Sequence, residues 1–185
     1  MVEEALPAKQ PVSPAMAGPY GHPFHPILVT VPIGAWVCGV VFDVASRIVS
    51  DPGFLAKGSV WLIAIGVVGA LAAALVGTLD LFAIPTGTPA FRTGLVHMSL
   101  NLVITAAYVG NFLWRRTSYD IPGPVAIGPL VLSVASLAAL AVSGYLGGKL
   151  AYRYGVRVAA ETTQAEGYRH AGDPGEPASK PRHAH

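Results

Sequence analysis

The chain has 185 residues, 52% of them hydrophobic and 12% charged, far from the mixture that a water-facing surface requires. Its formal net charge of +2 comes from helix ends and polar tails, which gives no basis for nucleic-acid binding. Cys38 is the single cysteine, which excludes an intramolecular disulfide and a cysteine-built metal cage.

Residues 1–20 are rich in Pro and Ala and bury too little apolar surface to offset ordering, so a disordered tail is expected. No basic stretch followed by an apolar run and a small-residue cleavage site is present, so the first hydrophobic helix itself should direct insertion. That helix is expected at about 26–49. Pro26 suits a first helical turn, where no amide partner is lost. Pro32 removes the hydrogen bond to the Leu28 carbonyl and should bend the helix just inside the membrane. Trp36 reads as a packing residue, and Asp43 and Arg47 interrupt the far end.

Three uncharged stretches follow, Ser59–Leu79, Thr93–Trp114 and Ile121–Gly148, each long enough for a hydrocarbon core that needs ~20 apolar residues. They predict helices at about 59–84, 93–115 and 128–153. The second carries Gly66, Ala70 and Ala74 at four-residue spacing, and the fourth carries Ala135, Ala139, Ser143 and Gly147. Such small stripes let helices approach closely in lipid. Trp61 and Trp114 fall where interfacial anchors belong. Residues 156–185 are polar with Pro, Gly and Arg, and a second disordered tail is expected there.

The fold class is therefore all-α, an integral membrane four-helix bundle over residues 21–155 with both termini on one side, here side A. Near the membrane, Arg92, Lys149, Arg153 and Arg157 on side A balance Arg47, Lys57, Arg115 and Arg116 on side B, so flanking charge does not orient it. The distal Lys9, Arg169, Lys180 and Arg182 favour a cytoplasmic side A. A multi-pass protein of the bacterial inner membrane is expected, with the bilayer and other subunits or a second copy as partners.

Ionisable residues inside a membrane are default candidates for function. His22 and His25 lie just before helix one, Asp80 about one turn inside side A on helix two, and His97 at a matching depth on helix three. His97 and Asn101 are four apart and share a face that continues to Tyr108 and Asn111, a polar seam. His25 and His97 from separate segments suit opposite-face ligation of a haem b iron. His22, His25, Asp80 and His97 have the donor types for a transition-metal ion, with Asp80 orienting His97. A cofactor-free hydrogen-bond network of His25, Asp80, His97 and Asn101 is the alternative. Asp43 reaches the depth of Asn111 and could bond it, or could pair with Arg47 one turn away. His170, His183 and His185 are expected to be solvated.

The run Gly21-His22-Pro23-Phe24-His25-Pro26-Ile27-Leu28-Val29, then Pro32-Ile33-Gly34, Asp43, Gly77 to Asp80, His97 to Asn101 and Gly144-Tyr145-Leu146-Gly147-Gly148-Lys149-Leu150 resembles the bacterial membrane family catalogued as domain of unknown function 2231. The resemblance covers about residues 20–157. It implies a four-helix membrane domain without an assigned activity, with some relatives similar to fusions with Rieske iron–sulfur domains, and so an association with electron transfer. This chain has no cysteine set for such a cluster. Two readings stand side by side: a redox or metal-binding membrane subunit, and a cofactor-free accessory subunit stabilising a larger assembly. No nucleophile with its base, phosphate-cradling loop or paired catalytic carboxylates points to an enzyme, and no inverted repeat points to a transporter.

Overall fold

The computed structural model describes residues 8–10 and 23–168, and every regular element among the described residues is helical. Helix α1 (Phe24–Leu28) and α2 (Thr30–Ala45) form the first span, α3 (Gly53–Phe82) the second, α4 (Pro89–Arg116) the third, and α5 (Ile127–Gly148) the fourth. A π-helical turn, Lys149–Arg153, extends α5, and a short α6 (Glu161–Glu166) follows. All four spans, of 22 to 30 residues, are long and apolar enough to cross a bilayer.

The first span is broken at Val29. Pro32 has no N–H to offer the Leu28 carbonyl, and its ring crowds that carbonyl, so the break falls one turn before the proline. Helix α3 starts at Gly53, six residues ahead of the expected 59. Pro52 sits at its N-cap and accepts from the Ala56 amide at 2.9 Å. Its exposed first turn lets Lys57 reach water while the helix continues into lipid. Helix α4 opens with a capping pattern: the Thr88 hydroxyl accepts from the Phe91 amide at 3.1 Å and Pro89 occupies the first turn, where its missing N–H costs nothing.

Apolar side chains cover the outside, with Leu75 73%, Val68 68% and Val103 66% exposed, whereas Asp43 and Asn111 are 0% and Arg115 5% exposed. A water-soluble bundle has the opposite arrangement; this one suits lipid outside and satisfied polar groups within. At the centre, Trp36 and Tyr108 stack with centroids 4.0 Å apart and an 11° tilt, between Ile63 and Ile104. The indole Nε1–H donates to the Ile63 carbonyl at 3.3 Å. It lies flat on α3 because Gly66 faces it, and a Cβ there would overlap the ring. Trp61 and Trp114 remain exposed on the rim of side B, as interfacial anchors do.

The segment after the π-turn does not leave the bundle at residue 156, contrary to the expectation of a disordered tail from there. Val156 packs against the cluster of Ala8, Leu81 and Ile84. The Arg157 amide donates to the Ala8 carbonyl at 2.9 Å, and the Arg157 side chain pairs with Asp80 at 3.1 Å. The apolar Val156 and the buried ion pair hold this stretch where composition alone reads as solvated.

Candidate functional site

The polar residues of the interior gather at the two ends of the bundle. At side A, His25 in the first turn of α1 places Nδ1 2.9 Å from the Ala73 carbonyl of α3. His97 on α4 places Nδ1 2.9 Å from the Ser143 carbonyl and 3.0 Å from its hydroxyl on α5. A carbonyl can only accept, so each Nδ1 carries the proton and each Nε2 is left with a lone pair. Asn101, one turn along α4, brings its amide nitrogen to 3.2 Å from His97 Nε2 and donates to the His97 carbonyl at 2.9 Å.

Glycine makes room for both rings. A Cβ at Gly77 would lie 2.9 Å from the His25 imidazole, and one at Gly147 3.2 Å from His97, so the small residues near this end of α3 and α5 seat imidazoles as well as helices. The two rings face each other edge to face, with centroids 6.4 Å apart and planes at 82°.

The sequence-derived candidates divide as follows. His25, His97 and Asn101 come together. Asp80 lies at the same end, but its carboxylate engages Arg157, and the Ser143 carbonyl holds His97 in the orienting role considered for Asp80. His22, with His170, His183 and His185, lies outside the described residues. Among the described residues no group of three or more His, Cys, Asp or Glu side chains is disposed to hold a metal ion.

At side B, Asp43 and Asn111 are joined through a residue that sequence reasoning assigned to the flank. Arg115 donates from Nη1 and Nη2 to the two Asp43 oxygens, both at 2.6 Å. Its Nε donates to Asn111 Oδ1 at 2.8 Å, Nη1 also to Ser59 Oγ at 2.9 Å, and Nη2 also to Ser133 Oγ at 3.1 Å. Asn111 in turn donates to Ser133 Oγ at 2.9 Å and the Pro129 carbonyl at 3.0 Å. All five guanidinium N–H groups are therefore used, and the paired charges cancel. Neither Asp43–Asn111 nor Asp43–Arg47 is the pairing adopted; Arg47 donates to the Val125 carbonyl at 2.7 Å. The intramembrane serines were the available signal, since Ser59 and Ser133 interrupt otherwise apolar helices. With every donor satisfied, this cluster links four helices and has no free group to offer a ligand.

Four apolar-faced helices with their ionic groups turned inward define a multi-pass membrane protein, and a lipid bilayer is its environment. The chain belongs to the family of predicted membrane proteins catalogued as domain of unknown function 2231, whose model matches residues 21–160. No curated protein and no solved structure matches it.

Proposed function

We propose that the chain is a small electron-transfer subunit of the bacterial inner membrane, in which His25 and His97 hold one metal centre, a haem b iron or a single transition-metal ion, between them. The observation that carries this reading is the ring pair. The two rings, from separate spans, lie with centroids 6.4 Å apart, close enough for one bound ion to be held by both. Both rings also have Nδ1 committed to a backbone carbonyl, as ligating histidines do, which leaves Nε2 to ligate; at His97 an ion would take the place of the Asn101 amide, 3.2 Å from Nε2. When bound, such a centre would supply one-electron chemistry to neighbouring subunits. The chain's own contribution is to fix both tautomers and to exclude water with apolar helices. The test is metal analysis and a visible spectrum of protein purified from its native membrane; a stoichiometric metal lost on His97→Ala supports the reading, and metal-free native protein contradicts it.

A second reading is favoured by the Asp43–Arg115 cluster, in which buried polar groups are spent wholly on linking helices. On that reading the chain is a cofactor-free accessory subunit, the histidines serve the same linking purpose at side A, and the apolar outer faces pack against other subunits or a second copy.

A further inference from the structure

The outer face of the fourth span ends at side A in a groove of about 410 Å³ lined by Tyr145, Gly148, Lys149, Tyr152 and Arg153. We infer that this groove binds the phosphate of an anionic phospholipid, with Lys149 and Arg153 as the phosphate contacts. Lys149 and Arg153 are its two cations, and among the described residues lining it there is no carboxylate. Lys149 Nζ also lies 5.7 Å from the Tyr154 ring centroid, an interaction that orients the ammonium without neutralising it.

The local backbone builds this arrangement. From Lys149 to Arg153 the helix is π, with the Tyr154 amide donating to the Lys149 carbonyl at 3.2 Å. A π-turn winds less per residue than an α-turn, so Arg153 swings back over the column formed by Tyr145 and Lys149. In a regular α-helix it would lie further round the axis. The wider turn thus stacks two cations above one another at the level where headgroups lie. Tyr145, in the same column, and the neighbouring Tyr152 are both exposed, as amphipathic rings are at a membrane interface.

Below the groove the same helix face continues as Val142, Val134 and Val131, all exposed. With the exposed Ala138 between Val142 and Val134, they precede Tyr145 at three- and four-residue steps, so they form a single apolar track beneath the cations. A phosphodiester held by Lys149 and Arg153 would lay its acyl chains along that track. A soluble phosphate would use the cations and leave the track unused, and this favours the lipid as occupant. Gly147, which seats His97, adjoins groove-lining Gly148, so an occupied groove borders the wall of the histidine pair.

The full chain, reconstituted in phosphatidylcholine vesicles containing roughly one fifth phosphatidylglycerol, is extracted in mild detergent and its retained lipid measured by mass spectrometry. The wild type should retain phosphatidylglycerol above its share of the vesicle. Lys149→Gln and Arg153→Gln should each lower that preference about fivefold, the factor equivalent to ~1 kcal/mol per interfacial cation. Exchanging the charges in place, Lys149→Arg with Arg153→Lys, should retain it, as should Lys57→Gln at side B. Retention at the bulk ratio in the wild type, or equal retention in wild type and the double Gln variant, would overturn the inference. So would displacement of the lipid by millimolar inorganic phosphate, which would make free phosphate the occupant.

Discussion

Arg115 and Asp43, 72 residues apart in sequence, form a bidentate ion pair at 2.6 Å with side chains 5% and 1% exposed. Removing one partner strands a charge in a low-dielectric interior, which costs about 3–5 kcal/mol, whereas replacing both by apolar groups of similar volume is often close to neutral. Arg115→Met and Asp43→Leu should therefore each destabilise the bundle strongly. The double variant should recover most of the loss. Reversible unfolding in mixed micelles measures this, and additive losses in the double variant would mean that the two residues act independently.

The Trp36 seat gives a second prediction. Gly66→Ala inserts a methyl group where the indole lies, and overpacking of this kind costs typically ~1–3 kcal/mol. Tryptophan emission should change as Trp36 tilts away from Tyr108, with Trp61 and Trp114 unaffected at the rim. Unchanged emission together with wild-type stability would show that the ring has room that the structure denies it.

Sidedness can be tested directly. Ala8 and Arg157 meet at one end of the bundle, and four crossings return the chain to its starting side. Proteolysis of sealed vesicles should remove N-terminal and C-terminal tags from the same side. Cleavage from opposite sides would leave an odd number of crossings and sink the four-span arrangement.

The Asp80–Arg157 pair predicts a local effect. Arg157 has a positive φ of 57°, a conformation that costs a non-glycine residue of order 1–3 kcal/mol and persists where surrounding contacts determine it. Asp80→Asn removes the charge that holds the side chain. Amide exchange in residues 155–158 should then accelerate, while exchange in the middle of α3 stays slow. Equal protection in the variant would mean that the Val156 cluster and the Ala8 hydrogen bond suffice.

The four spans were legible because hydrocarbon thickness demands long uncharged stretches, and the alternating direction of the spans is what brings His25 and His97 to one end of the bundle. The break before Pro32 was legible for a similar reason, since it depends on one missing N–H. Arg115 was not. Its position next to the last residue of α4 reads as a flanking cation, and nothing local reveals that residues 117–126 fold back over side B. There the Val125 amide donates to Ser46 Oγ at 3.1 Å and Arg47 reaches the Val125 carbonyl. That cover turns a rim position into an interior one. The local Asp43–Arg47 pair was the cheap expectation, and a distant partner with five donors displaced it. Likewise Ser143 read as one more small residue, although its backbone carbonyl and hydroxyl both meet His97.

The imidazole pair carries the functional proposal, so the most direct measurement is metal content and the visible spectrum of native-membrane protein, compared with His97→Ala. The account predicts one metal centre per chain in the wild type and none in the variant, with the variant still inserted because α4 keeps its apolar length. Gly147→Ala, which presses a methyl group towards His97, should weaken retention without abolishing it. Wild-type protein with neither stoichiometric metal nor a haem spectrum would contradict the account. His97→Ala would then amount to the loss of interhelical hydrogen bonds, each worth about 0.6 kcal/mol.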